Sequence, residues 1–517
     1  MKNSVINKQK GFLIIQALVF GTIGIILIGG LVSFAQVNIK SARLFVLREK
    51  AFQIAEAGLE YYRWHLAHAA QDYKDGTGAP GPYIHPYKDK DGEVIGSFTL
   101  TITPPPLGST VVTIVSEGKV VEDANLSRRV EAKLAIPSLA KYAFVANSAM
   151  RFGEGTEVFG PIHSNGGIRF DGLSHNIVSS AIANYDDADH NGPNEFGVHT
   201  HLRVPPGVGA VNCPSNTPSP YSSCYLASEA PPTTPVPNRS DVFLTGRQFP
   251  VPAVNFTGLT ADLSDLRDDT LPVSGLCETD VPNGKLCFAS SGALGYNLVL
   301  KTNDTFDLFR VNSLRSSPSG SCTNSQNQAS AQTGWATWSI GTGSGAQTLL
   351  GNYTFPSNGL VFLEDNIWVE GQIQTARLTI ASGRFPDSAS TNTSITVNKD
   401  LRYTTHDGQD VLALIAQNNF NVGLYSNDLL TVDAALIAKN GRVGRYYYNS
   451  ACGSNYVRST LSLFGMIATN LRYGFAYSNN TGYITRNIVY DGNLLYGPPP
   501  SFPLTSDQYT TISWREL

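Results

Sequence analysis

Residues 187–192, Asp187-Ala188-Asp189-His190-Asn191-Gly192, carry the pattern with the clearest chemical use. Side-chain oxygens alternate ahead of a glycine, as in the first half of an EF-hand-type calcium loop, so Asp187, Asp189 and Asn191 would be ligands of a Ca2+ ion. The closing Glu of such a loop is missing: Val198 stands at its twelfth position, and the nearest acid is Glu195. Asp-Asn-Gly clusters also make ordinary turns. Asp89-Lys90-Asp91-Gly92 is a shorter fragment of the same kind. His65 and His68 share one face of a helix, and His199 and His201 share one face of any strand there. Each pair supplies two ligands with no evident third, which argues against a transition-metal site. The glycines of 341–346 have no helical pattern after them, so they do not read as a phosphate loop. Neither G-x-S-x-G nor H-E-x-x-H occurs. Trp335, Trp338 and Trp368 could stack on sugars, although core packing is the commoner role of tryptophan. The sequence thus selects no catalytic residues and reads as a non-enzyme.

Six cysteines, Cys213, Cys224, Cys277, Cys287, Cys322 and Cys452, make a second set of reactive groups. All follow the apolar N-terminal stretch, and an even number in an exported domain predicts disulfides. Cys213/Cys224 and Cys277/Cys287 each bracket a short loop, whose closure would contribute roughly 2–3 kcal/mol. Cys322 and Cys452 are then left over, although spacing does not fix the connectivity. The absence of any C-x-x-C argues against zinc ribbons and thioredoxin-like redox sites.

The elements that must position these groups follow from composition and patterning. The chain has 517 residues, with 48 Gly, 29 Pro and 15% charged residues, which predicts a turn-rich and largely β protein. Its 37 basic against 41 acidic residues give no general attraction to nucleic acid. The first ten residues hold Lys2, Lys8 and Lys10 and no acid, and 12–34 hold no formal charge. As a helix that stretch is about 34 Å long, enough to cross a bilayer. The basic flank predicts a cytoplasmic N-terminus. From 35 to about 70 the pattern turns amphipathic without a break: Leu44, Leu47, Ala51, Ile54, Gly58 and Tyr62 recur at helical spacing among charged residues. No proline precedes Pro80, so one continuous helix is predicted.

Lys10-Gly11-Phe12, the apolar stretch after it, and the AFQIAEAGLEYYR segment at 51–63 resemble a type IV prepilin, most closely the minor pilins with a PilX-type N-terminal domain. The resemblance covers roughly residues 1–135. It implies a leader over 1–11, cleavage after Gly11 by a prepilin peptidase at the cytoplasmic face, N-methylation of Phe12, and assembly with other pilins through the helix. Such a precursor would sit in the bacterial inner membrane and then enter an extracellular filament. Major pilins usually carry Glu at the fifth mature position, where this chain has Gln16. Gln cannot neutralise a neighbouring subunit's ammonium group, and an unpaired buried charge costs several kcal/mol. Gln16 therefore suits a subunit at the filament tip, as in the large tip pseudopilin of type II secretion systems.

An α+β fold follows: a membrane half (12–34) and an amphipathic half (35–70) of one helix, then a small antiparallel sheet within 71–137. Strands are predicted at 96–103, 109–120 and 127–136 from their alternation. Beyond Pro137 a large mainly-β head is expected over 138–517. Five aliphatic runs there end in Asn, namely 162–165, 363–366, 415–418, 437–440 and 467–470. Asn is a turn former and can align into ladders between stacked coils, which points to a parallel β-helix or β-solenoid, with a β-sandwich as the alternative. Polar insertions near 204–240 and 315–334 read as surface loops, and the aromatic, proline-rich end reads as a strap over the last coil. Together these features predict a minor pilin or pseudopilin of a pilus or secretion-type filament, with its head acting at the tip in initiation and surface attachment. The alternatives are a tip-borne adhesin or carbohydrate-binding module, with a surface glycan or protein as partner, and an exported β-helix polysaccharide hydrolase or lyase.

Overall fold

The computed structural model describes residues 10–106, 109–154, 156–189, 194–202, 210–211, 225–256, 258–272, 274–278, 286–325, 337–477, 481–505 and 508–517. They form two compact units, one of residues 1–104, 112–135 and 508–517, the other of 105–111 and 136–507.

The first unit is built on helix α1 (Lys10–His68), 59 residues without a break. Its length is about 88 Å at the usual rise. Residues 12–46 are almost wholly exposed: Leu31, for example, is 67% exposed. From Leu47 the pattern changes, and Leu47, Ala51, Ile54, Ala55, Leu59, Tyr62 and Leu66 are buried. That stripe packs on an antiparallel sheet of strands β1 (Tyr83–Lys88), β2 (Val94–Thr103), β3 (Val112–Val120) and β4 (Asp123–Ala135), through Phe98, Leu100, Ile114, Val130 and Leu134. Two glycines let helix and sheet approach. A Cβ on Gly58 would lie 2.3 Å from the Ser116 hydroxyl, and one on Gly118 would lie 2.1 Å from the Ala51 carbonyl.

The sheet has five strands where alternation indicated three. β1 was hidden by Pro86, which is tolerated because β1 is the sheet edge. The fifth, Thr510–Glu516, pairs antiparallel with β4. The expectation that 138–517 forms one head is corrected there: the last strand finishes the first sheet, where it shields the edge of β4, rather than closing a coil.

The second unit is a parallel β-solenoid, with chains of parallel pairing running from coil to coil. One inward column runs in register through Leu286, Val361, Ile380, Leu414, Leu436, Ile467, Phe144, Ile162 and Val178. All nine are buried in one continuous core. The column shows that the chain enters the stack in its middle. Residues 144–248 build coils toward one end, and residues 286–469 start from the other end and climb back to the first coil. The joint is the parallel pairing of Ile467 with Phe144. Helix α2 (Gly258–Thr270) lies within the segment that connects the two stretches.

The Asn-terminated runs occupy equivalent corners. At the joint, Asn165 donates to Asn147 at 2.8 Å, Asn147 donates to Asn470 at 2.9 Å, and Asn470 donates to the Asn440 carbonyl at 3.1 Å. Asn147, absent from the sequence pattern, is the rung that joins the first coil to the last. The outward column beside the core, Phe362, Ala381, Ile415, Ile437, Ala468 and Val145, is buried under Phe256, Leu263 and Leu266 of the connecting segment and Leu494 and Phe502 of the C-terminal strap. The strap therefore lies along the outer surface of the stack. Arg377 holds it by donating to the Gly497 carbonyl at 2.7 Å.

Candidate functional site

Two regions could do chemistry or assembly. The first is the exposed part of α1, where Phe12 and Gln16 are both exposed and the apolar surface between Phe12 and Phe34 is covered by none of the described residues. Gly11 lies in the helix. His65 and His68 are drawn apart by other contacts: His65 pairs with Asp72 at 3.0 Å, while His68 Nδ1 donates to the Trp64 carbonyl at 2.8 Å. Asp89 accepts the Asp91 and Glu93 amides, each at 2.9 Å, and so closes the turn between β1 and β2.

The second region lies on the coils at the end reached by 144–248. Strands Met150–Phe152, Ile168–Phe170 and Val198–His199 stack in parallel. Register puts Met150, Ile168 and Val198 in the inward column, so Arg151, Arg169 and His199 form the outward one. A short hairpin, Asn184–Tyr185 with Glu195–Phe196, covers it. Gly167 and Gly197 permit that close cover. A Cβ on Gly167 would lie 1.9 Å from the Tyr185 ring, and one on Gly197 would lie 1.9 Å from the Ile182 carbonyl.

The hairpin brings carboxylates down onto this column. Glu195 lies 2.8 Å from His199 Nε2 and 2.9 Å from His201 Nε2. Asp187 lies 3.6 Å from His199 Nε2 and 3.8 Å from Arg169. Arg169 also donates to Asp171 at 2.7 Å, and the other Asp171 oxygen accepts the His201 amide at 2.8 Å. His199 Nδ1 donates to the Phe196 carbonyl, which turns Nε2 toward the carboxylates. Side chains of Arg169, Asp171, Glu195, His199 and His201 are essentially sealed from solvent. Burial alone would raise the carboxyls of Asp187 and Glu195. The adjoining imidazoles outweigh it and hold both well below the usual carboxylate range. Burial would likewise lower His199, but Asp187 and Glu195 push it up to about 9.

The calcium ligands expected from sequence are not brought together as a set. Asp187 faces the histidines, whereas Asp189 is clamped by Arg151 at 3.0 Å and Arg472 at 2.6 Å. Two guanidinium groups satisfy its oxygens, so Asp189 is spent on ion pairs. Asn191 lies outside the described residues. The side chains that meet the two histidines are Glu195, which reaches both, and Asp187, which reaches His199. Glu195, His199 and His201 share sequence parity, and that alternation was the available signal.

Of the cysteines, Cys277 is joined to Cys287 and Cys322 to Cys452, while Cys213 and Cys224 lie outside the described residues. Trp338 and Trp368 are buried, and the Trp368 indole donates to the Trp338 carbonyl at 3.1 Å, so neither offers a face to a sugar. Trp335 lies outside the described residues. The glycines of 341–346 lead into the strand Gln347–Thr354, not a helix.

No protein-family model matches the chain, and no curated protein matches it in sequence. Among solved structures the chain is similar to the crystal structure of the competence-associated pilin ComZ from Thermus thermophilus, at 12% identity and a TM-score of 0.30, over 91% of this chain and 97% of that one.

Proposed function

We propose that the chain is a type IV pilin-like subunit that assembles through α1 and carries its solenoid as a filament head. The observation that supports this most is the division of one helix. Residues 12–46 bury almost nothing, while Leu47 to Leu66 are sewn into the sheet. An apolar helix face of this length has to be covered by lipid or by other helices. A helix held at its far end by a folded domain can exchange one cover for the other without unfolding. On this reading a prepilin peptidase cuts after Gly11, Phe12 becomes the methylated N-terminus, and the subunit waits in the inner membrane before joining other pilins.

Gln16 and the size of the solenoid support a place at the tip, where the head initiates the filament and meets a surface. No catalytic role is assigned to it. Intact mass of the protein made beside its peptidase tests the processing step. A chain starting at N-methylated Phe12, lost in Gly11→Val, is expected; a chain that keeps Met1–Gly11 would overturn the assignment. Immunogold labelling of the head tests the position, and label spaced evenly along filament shafts would defeat the tip reading.

A further inference from the structure

We propose that Asp187, Glu195, His199 and His201 form a closed structural site for a zinc-type divalent transition metal ion, which pins the 184–196 hairpin to the end coils of the solenoid. One ligand atom from each of the four lies within 4.8 Å of all the others, and all four residues are buried. With metal bonds of about 2.0–2.1 Å, tetrahedral ligand atoms sit about 3.3 Å apart. The observed separations of 2.8, 2.9 and 3.6 Å straddle that value.

Hydrogen bonding accounts for only part of this convergence: His201 Nε2 donates to Glu195 at 2.9 Å, whereas the other two members meet without a bond. Asp187 Oδ2 and His199 Nε2 are fully enclosed, yet neither has a hydrogen-bond partner among the described residues. Glu195 approaches His199 Nε2 closely but out of line for an N–H bond. Buried polar atoms are rarely left this way, because each costs about 1–3 kcal/mol. An enclosed carboxylate oxygen and an enclosed imidazole nitrogen left without a partner side by side are what a cation can satisfy. The Nδ1–H bond to the Phe196 carbonyl also fixes the ring as metal-binding histidines are commonly fixed, by a second acceptor behind the ligand atom.

Charge points the same way. Among the described residues the enclosed carboxylates of Asp171, Asp187 and Glu195 face the enclosed guanidinium of Arg169, so an ion that displaces the imidazole protons meets two net negative charges. A divalent ion cancels them. Two imidazoles and two carboxylates favour a zinc-type ion over calcium, which prefers oxygen ligands alone. With all four ligands from the protein and no exposed face, the ion would be structural.

The test uses the full chain in detergent, stripped with a chelator and titrated with Zn2+ against a chromophoric competitor. One equivalent bound with sub-micromolar affinity is expected, together with about a hundredfold or greater weakening in His199→Ala. Co2+ added to the unmutated chain should give the intense visible bands of a four-coordinate ion, a readout that needs no variant to fold. Asp187→Asn, a milder change, should lose the rise in Tm that Zn2+ gives the unmutated chain. Less than one equivalent bound, a cobalt spectrum like that of the aqueous ion, or zinc binding equal in all variants would overturn the site and leave an ion-pair cluster only. None of these readouts depends on filament assembly, so failure here leaves the pilin reading standing.

Discussion

The solenoid seals its outer surface in two different ways. Along the coils between 360 and 470, the outward column is apolar and is roofed by Leu263, Leu266, Leu494 and Phe502. At the other end the outward column is Arg151, Arg169 and His199, and its roof is a hairpin bearing Asp187, Asp189 and Glu195. Apolar burial is non-directional, so a roof of that kind needs only volume and contact. Buried charge is directional. Each group must find its partner, and removing one leaves the other stranded in a poor solvent. The apolar roof therefore serves stability, whereas the charged roof fixes one hairpin geometry over one coil.

The largest expected effect comes from breaking the charged roof. Arg169→Met should cost about 3–5 kcal/mol in urea unfolding, because Asp171 and Asp187 lose their enclosed cation. Leu263→Ala, in the apolar roof, should cost about 2–4 kcal/mol through the lost burial and the cavity. Limited proteolysis separates the two: cleavage near 184–196 should rise in the first variant and stay unchanged in the second. If Leu263→Ala proves the costlier, the charged roof is no more demanding than the apolar one. The smallest effect should come from Asn147→Ala, which removes one rung at the joint of the two stretches. About 1 kcal/mol is expected, read as a small fall in Tm with an unchanged proteolytic pattern.

Much of the architecture was legible from residue pattern. The unbroken run of α1 followed from the lack of proline and the continuous helical spacing, and the Asn-terminated runs marked real corners of stacked coils. The coil order was not legible. Nothing local in Phe144 or Ile467 says that these two pair, since β-pairing partners far apart in sequence leave no periodic signature. The last strand escaped notice because its outward residues are polar or exposed, as edge strands require. His199 and His201 were rightly paired, but their partners were missed. Glu195 was noted only as the acid nearest to a missing closing ligand, and Asp187 was grouped with Asp189, whose guanidinium partner Arg472 lies 283 residues away.

The mid-stack entry of the chain has a consequence in time. The coil begun at Phe144 lacks its neighbour on one side until the strand Val457–Thr469 has been made. During synthesis the earliest coils must therefore wait, with one edge of backbone groups unpaired, for the strand Val457–Thr469 to emerge. The same delay applies to the first sheet, whose strand Thr510–Glu516 is made only after the solenoid. Long-range pairing of this kind makes closure slow. A chain cut short anywhere before 457 would leave both structures open at an edge, so synthesis past those closing strands is a condition of the fold.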